Sequence, residues 1–288
     1  MFAVLQPAAG RPAGIRGRLF SRRRPAVEIR AGRAGGIPFA LLMARCKKGR
    51  MDWGKIYRAA GREAGRLVLP AGLTPPPGCG VIGYDSSLYR RILLANAFFR
   101  CMASCSPREL SVALVDWEGR YGSLALELLA RAGTVRVVTG RPEVYEVYEE
   151  EARRLLGAGL IVTGEAGCLD SVAAVLAPEG LTGGRRREGG ALVRPLNRLF
   201  FSGQAQSSFG LTLDGSCIRL PAPYESLVPP GVSRLDFAAA LYDSARPKDL
   251  ARLLPSYICR EGLRIPLRAA AAMMAQAVRR PGAGVGKG

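Results

Sequence analysis

The sequence predicts an α/β protein with a parallel sheet and helices on both faces, preceded by a helical segment and followed by an α+β extension. Short aliphatic runs alternate with longer segments of helical spacing between residues 106 and 181. Strands that alternate with such helices pair in parallel through right-handed crossovers. Hydrophobic residues make up 48% of the chain and charged residues 23%, a composition that supports a folded core. We expect two modest domains in the 288 residues.

Residues 1–50 form a basic leader that we expect to be largely disordered. They hold 12 of the 42 Lys and Arg residues and one acidic residue, Glu28, so they carry +11 of the net charge of +19. Their Arg-, Gly-, Pro- and Ala-rich composition shows no sustained hydrophobic period. Three interpretations are open: a dispensable leader with the true start at Met43 or Met51, a basic arm on nucleic acid, or an organelle transit peptide.

Residues 51–105 are predicted to form a helical N-terminal segment. Apolar residues recur at helical spacing over residues 53–67, directly after Asp52, whose side chain can cap the first turn. Pro70 ends this helix. A second helix, apolar on several faces and therefore buried, is expected after residues 85–87.

Residues 106–181 form the predicted parallel-sheet core. Its strands are residues 111–115, 134–139, 160–163 and 172–177. The helix after the first strand follows the i, i+3, i+4 pattern up to Gly133. The helix after the second strand begins at Pro142, and we expect its apolar side, Val144, Val147, Tyr148, Ala152 and Leu155, to face the sheet.

The remaining chain is predicted to contain a flexible loop, an extension and a loose tail. Residues 182–191 form a basic loop with three consecutive arginines, which is either solvated or a phosphate clamp. Residues 192–280 form the α+β extension, and residues 281–288 a disordered tail. In the extension we expect strands at 199–201, 211–213 and 217–220, and helices at 235–242, 247–254 and 266–279.

The composition excludes several classes of protein. The chain contains no histidine, which excludes histidine-dependent catalytic triads and HExxH metal sites. Its seven cysteines form no CxxC pair, so we expect reduced thiols, no metal site and a cytoplasmic location. No apolar run approaches the roughly 20 residues that span a bilayer, so no membrane partner is predicted.

The turn after the first core strand is the candidate site. In an open parallel sheet, ligands bind beyond the carboxyl ends of the strands, where helix N-termini present backbone amides. The turn, residues 116–122, reads DWEGRYG. Against the dinucleotide-binding pattern GxGxxG, Gly119 and Gly122 match the second and third glycines, while Trp117 stands at the first.

Residues 111–177 resemble the NAD(P)-binding Rossmann domains of the shikimate dehydrogenase and glutamyl-tRNA reductase type. The likeness lies in the strand, glycine turn and helix, then in VVTGRPE at 137–143 and LDSVAAVLAP at 169–178. The resemblance implies that Gly119 lets a pyrophosphate approach the backbone and that Gly122 allows close helix packing. It places Arg120 in the cofactor-binding turn.

The same resemblance implies a preference for NADP. The second strand ends without the acidic residue that binds an NAD ribose, and Thr139 with Arg141 fits a 2′-phosphate instead. Trp117 departs from the family pattern, because its side chain could fill the space that a cofactor needs. An indole in that crevice, or antiparallel pairing of these strands, would argue against nucleotide binding.

Two functions and one further chemistry are therefore open. The first function is an NADP-binding, oxidoreductase-like protein, with or without catalysis. The second is a non-enzymatic regulatory or interaction protein on the same fold, with basic surfaces that contact nucleic acid. Asp116 and Glu118 could instead hold Mg²⁺ for phosphate chemistry, although DWEGR departs at two positions from the DxDx[TV] pattern of haloacid dehalogenase-type phosphatases. No residue is identified as catalytic.

Overall fold

A computed structural model describes residues 1–8, 27–46, 50–180, 199–202, 211–214 and 216–279. The chain divides into two compact units. The first unit contains Met1–Tyr89 and Ile218–Leu253, and the second contains Arg90–Cys217 and Leu254–Gly288. Within the described ranges, no helix combines the length and the apolar character that crossing a membrane requires.

The elements run in chain order as follows. The strands are β1 (Phe2–Ala8), β2 (Val27–Ala34), β3 (Ile37–Arg45), β4 (Ser111–Val115), β5 (Thr134–Val138), β6 (Ile161–Thr163), β7 (Ala174–Ala177), β8 (Leu199–Ser202), β9 (Tyr257–Arg260) and β10 (Leu263–Pro266). The α-helices are α1 (Trp53–Ala60), α2 (Ser87–Met102), α3 (Gly122–Leu129), α4 (Glu146–Leu156), α5 (Arg234–Ala245), α6 (Lys248–Ala251) and α7 (Leu267–Arg279). Short 3-10 segments are Gly61–Arg66, Pro142–Tyr145, Ala166–Ser171 and Glu225–Leu227.

A three-stranded sheet in the first unit corrects the prediction of a disordered leader. Its order is β1-β3-β2, with β1 parallel and β2 antiparallel to β3. The rings of Phe2, Phe39 and Phe237 contact one another with centroids 5.4 to 5.6 Å apart. The prediction is wrong for these strands because apolar side chains of β1 and β3 bury against residues distant in sequence, and this burial offsets the loss of chain entropy. β2 is mostly exposed and pairs with β3 along its length.

The first predicted helix is confirmed in position and shortened in extent. Asp52 caps it as expected, since its Oδ1 accepts a hydrogen bond from the Lys55 amide at 3.1 Å. The α-helix ends at Ala60 because Gly61 adopts a φ of 55°. The chain then continues as the 3-10 segment Gly61–Arg66, which brings Leu67 into the core of this unit.

The second unit contains the predicted parallel sheet, flanked by helices. Its order is β6-β5-β4-β7-β8, and every neighbouring pair is parallel. Counted along the chain from β4, this order is 3-2-1-4-5, which is the Rossmann arrangement. The parallel pairing and the fold class predicted from the sequence are therefore confirmed.

The helix after β5 faces the sheet with different residues from those predicted. Val147 and Leu155 are 69% and 60% exposed, whereas Tyr145 is fully buried and Ala152 is buried as expected. The segment begins as the 3-10 turn Pro142–Tyr145, and a 3-10 helix has fewer residues per turn than an α-helix. This difference changes the register of the helical face, so Val147 and Leu155 are exposed while Tyr145 is buried.

The extension is predicted correctly in two of its helices and only in part in its strands, and the third helix, predicted at 247–254, is shortened to α6. The strand at 199–201 is confirmed as β8, and the helices at 235–242 and 266–279 are confirmed as α5 and α7. Residues 217–220 form no strand, and the chain at 211–212 makes only isolated bridges, Leu211 to Phe201 and Thr212 to Cys259. The predicted loop 182–191 and tail 281–288 lie outside the described residues, as does residue 280.

The hairpin of β9 and β10 was not predicted. Its two-residue turn, Glu261 and Gly262, has φ values of 51° and 80°, which match the primed turns that favour tight hairpins. The sequence at this turn lacks the usual Asn or Asp before glycine, so the signal for a hairpin is weak.

Candidate functional site

The candidate site lies at the carboxyl edge of the parallel sheet in the second unit. β4 has β5 on one side and β7 on the other, so the strand order reverses between β4 and β7. Crevices at such a switch point are where ligands bind in open α/β sheets. The structure brings the five predicted residues to this edge, because Gly119, Arg120 and Gly122 follow β4 while Thr139 and Arg141 follow β5.

Gly119 is required by the shape of the turn after β4. Its φ is 69°, in the left-handed region that side chains other than hydrogen disfavour. A Cβ at this position would also lie 3.2 Å from the Cβ of Val144. The turn thus passes close to the segment that follows β5.

Gly122 opens space for an aromatic ring. It is the first residue of α3, and a Cβ there would lie 2.0 Å from Cε2 of Tyr148 on α4. Only a residue without a side chain leaves room for that ring. Gly122 therefore permits the close contact between α3 and α4.

Asp116 binds the backbone of the turn with its own carboxylate. The residue is 2% exposed, its Oδ1 accepts from the Arg120 amide at 3.0 Å, and its Oδ2 accepts from the Tyr121 amide at 2.7 Å. The hydroxyl of Tyr145 donates a third hydrogen bond to Oδ2 at 2.5 Å. These two amides in front of α3 are therefore already paired, and the expectation that the turn presents its amides to an open crevice is wrong for them.

Tyr145 is a buried partner that sequence reasoning missed. Burial, together with the adjacent carboxylate of Asp116, raises the pKa of Tyr145. The phenol therefore stays protonated and keeps donating to Asp116. The available signal was an aspartate at the end of a buried strand, a position that demands hydrogen-bond donors from the neighbouring chain.

Trp117 is a packing residue on one face of the sheet. Its indole is half-buried against an apolar cluster that includes Val115, Val138 and Leu169. Its Nε1 is buried and has no hydrogen-bond partner among the described residues. Its carbonyl oxygen accepts from the Gly140 amide at 3.3 Å, which joins the turns after β4 and β5.

Thr139 and Arg141 form a small hydrogen-bonded turn at the end of β5. Thr139 is fully buried, and its Oγ1 accepts from the Arg141 amide at 3.0 Å. The Arg141 guanidinium is 56% exposed, and its Nε lies 3.2 Å from Oε1 of Glu143. A hydrogen bond from the backbone amide of Glu143 and, next in size, one from the Arg141 guanidinium lower the pKa of the Glu143 carboxyl. Arg141 is thus accessible, with an internal carboxylate beside it.

Arg120 belongs to a charged cluster that includes two residues missed by the sequence interpretation. Its Nη1 lies 3.3 Å from Oε1 of Glu179, which follows β7. The same oxygen accepts from the Tyr121 hydroxyl at 3.1 Å and lies 3.1 Å from Nη1 of Arg91 on α2. Burial is the main cause that raises the pKa of Tyr121 to about 12. The signal for Glu179 was its place directly after the fourth predicted strand.

Asp116 and Glu118 do not converge on a common point that would suit a magnesium ion. Both carboxylate oxygens of Asp116 accept hydrogen bonds from N–H or O–H groups, and a cation at either oxygen would have to displace them. Glu118 is exposed. Within the described ranges, no group of three or more Cys, Asp or Glu side chains is arranged to hold a metal ion.

Comparisons with known proteins include a similarity to a solved structure. No family model matches the chain, and no curated protein matches it. L-tryptophan dehydrogenase from Nostoc punctiforme is similar in structure with 12% sequence identity and a TM-score of 0.33, over 84% of this chain and 75% of that chain. The fold assignment rests on the strand order described above.

Proposed function

We propose that the second unit binds an NADP-type dinucleotide at the carboxyl edge of its sheet and belongs to an oxidoreductase-like protein. The observation that carries the proposal is the glycine turn at the switch point. Gly119 with its positive φ and Gly122 against Tyr148 lie directly after β4, the central strand of a 3-2-1-4-5 sheet. Dinucleotide-binding folds use this strand order, and the turn has the second and third of their three glycines, with Trp117 at the position of the first.

The end of β5 supports NADP over NAD. NAD-binding domains have a carboxylate at this position to bind the ribose diol, whereas this chain has Thr139. The Thr139 side chain is buried and hydrogen-bonded within its own turn. Arg141 is exposed at the same place and carries the positive charge that a 2′-phosphate requires. Asp116 occupies the amides of Arg120 and Tyr121, so these two amides are not available to the pyrophosphate.

A specific observation also favours the second function, a non-enzymatic regulatory or interaction protein. Three donor groups at this edge already face internal carboxylates. Asp116 binds the turn amides, Glu143 faces Arg141 and Glu179 faces Arg120. An edge neutralised in this way would serve as a scaffold, and contacts with nucleic acid would then come from basic surfaces elsewhere on the chain.

Thermal unfolding with a panel of ligands tests the proposal. The full chain is unfolded with NADPH, NADH, ATP and S-adenosylmethionine, each at saturating concentration. A ligand at a hundred times its Kd stabilises the folded state by about 2.7 kcal/mol. We expect the largest increase in Tm with NADPH.

An absence of any shift would contradict nucleotide binding. If the chain then binds DNA or RNA with an affinity that falls steeply with salt, the second function is favoured.

A further inference from the structure

Glu179 holds a position where three donors from different elements converge. Arg91 comes from α2, Arg120 and Tyr121 come from the turn after β4, and Glu179 itself follows β7. All three side chains reach the same carboxylate oxygen at 3.1 to 3.3 Å. The Arg91 guanidinium also donates to the Tyr121 hydroxyl at 2.9 Å. The cluster spans the gap between the ends of β4 and β7.

The chemistry of this cluster matches the recognition of a carboxylate. Guanidinium groups present paired N–H donors that fit carboxylate oxygens, and a phenol adds a neutral donor. The cluster offers two guanidinium groups and one phenol as donors to a single carboxylate. Burial keeps the Tyr121 phenol protonated and able to donate.

The internal carboxylate is accessible to competition from solvent. The side chains of Glu179 and Arg91 are 26% and 27% exposed, and that of Arg120 is 59% exposed. The Arg120 side chain is the exposed member of the cluster, and exposed ion pairs contribute little net stability because water and salt screen them. A ligand carboxylate can therefore take the place of Glu179 without disrupting the buried core.

We propose that Arg91, Arg120 and Tyr121 form a subsite for the carboxylate of a small organic acid, and that Glu179 occupies it in the absence of that acid. This inference rests on the proposed function and deepens it, because an NADP-dependent reaction is what would make the organic acid a second substrate. Its location agrees with the rule that ligands of open α/β sheets meet at the switch point.

Malonate titration of the full chain, followed by calorimetry at constant ionic strength, tests the subsite. Glu179→Gln removes the competing charge and retains the donors, so we expect malonate to bind about tenfold more tightly than to the natural chain. Adding Arg91→Gln to Glu179→Gln should abolish this gain. Glu127→Gln is the matched control. It breaks the ion pair between Glu127 on α3 and Arg131, and it should leave malonate binding unchanged.

Three results would overturn the inference. Equal malonate affinities in the natural chain, Glu179→Gln and the double variant would show that the cluster does not bind the acid. Equal affinities of Glu179→Gln for malonate and sulfate would show that it selects no carboxylate. If Glu179→Gln does not fold, Arg120→Gln is tested in its place. Malonate binding as strong in Arg120→Gln as in the natural chain would also contradict the subsite.

The same variants separate this inference from the proposed function. If the chain binds NADPH but its malonate affinity is the same in all variants, only the carboxylate subsite is contradicted. Malonate binding that depends on Arg91 and Glu179, in a chain that binds no NADPH, supports the subsite and contradicts the dinucleotide proposal.

Discussion

Tyr145 donates its phenolic hydrogen to Asp116 across 2.5 Å, and both side chains are buried. Asp116 directly follows the central strand, whereas Tyr145 ends the 3-10 turn that leads into α4. The bond therefore fixes the turn after β4 to the segment after β5. With the amides of Arg120 and Tyr121, it gives the carboxylate three donors.

Replacing Tyr145 with Phe should destabilise the second unit. The variant keeps the ring and removes one donor from a buried carboxylate, which costs about 1 to 3 kcal/mol of the free energy of unfolding. Urea unfolding followed by circular dichroism measures the loss.

Tyr148→Phe is the matched control for this change. The hydroxyl of Tyr148 has no hydrogen-bond partner among the described residues, so its removal should leave the free energy of unfolding within experimental error. A similar loss in both variants would contradict the role of the bond to Asp116.

Gly122→Ala should destabilise the contact between α3 and α4. A Cβ there would lie 2.0 Å from the Tyr148 ring, so the ring must move, and overpacking of this kind costs about 1 to 3 kcal/mol. The double variant Gly122→Ala/Tyr148→Ala removes the obstructing ring, and chemical unfolding should then show that the alanine at 122 carries no further cost.

Gly54→Ala provides the comparison within a helix. Among the described residues, a Cβ at Gly54 would meet only Oδ1 of Asp52, at 3.7 Å, and alanine favours the helix by about 1 kcal/mol. We expect this variant to be more stable than the natural chain. Stabilisation by Gly122→Ala as well would show that the ring moves aside at little cost.

Arg141→Glu should weaken NADPH binding and leave folding nearly unchanged. The side chain is exposed, and reversing its charge places two carboxylates beside the site of the 2′-phosphate. A loss of about tenfold in affinity corresponds to roughly 1.4 kcal/mol. Fluorescence titrations with NADPH and NADH measure the selectivity.

Arg153→Glu controls for the change in net charge. Arg153 lies in the last turn of α4, which leads away from the carboxyl edge, and pairs with Glu149. Equal weakening of NADPH by both variants would indicate a long-range effect of charge and would contradict a direct contact with Arg141.

The stability of the folded chain should decrease above pH 10. Burial raises the pKa of Tyr121 from 10.0 to about 12, so the unfolded chain releases this proton first as the pH rises. The contribution is complete below pH 10 and is lost as the pH approaches about 12. Tyr121→Phe should make the decrease shallower in denaturant titrations on either side of pH 10.

Part of the decrease should remain in that variant. Burial also raises the pKa values of Tyr84 and Tyr145, which act in the same direction. Identical slopes for Tyr121→Phe and the natural chain would contradict the contribution assigned to Tyr121.

The parallel sheet could be predicted because most of its strands are short runs of apolar residues, and this pattern is visible in the sequence itself. The sheet of the first unit could not, because Phe2 packs against Phe39 and Phe237, which are distant in sequence. Local composition in the leader is dominated by arginine and glycine, and it gives no sign of those partners.

The position of the candidate site was predictable, and its internal pairing was not. Parallel strands place the turns after β4 and β5 at one edge, and this follows from the strand pattern alone. The acceptor role of Asp116 toward Tyr145, and of Glu179 toward Arg91, depends on how separate segments meet in three dimensions. No spacing rule within the sequence encodes such contacts.

β1 has backbone partners along both of its edges, which bears on the stability of a shortened product. β1 is hydrogen-bonded on one edge to β3 and on the other to Val68, whose amide bonds the Ala3 carbonyl at 3.0 Å. Translation that started at Met43 or Met51 would omit β1, β2 and most or all of β3, and would leave the ring of Phe237 without Phe2 and Phe39. Such a shortened product would expose the apolar surface that these strands cover, and it would be prone to aggregate.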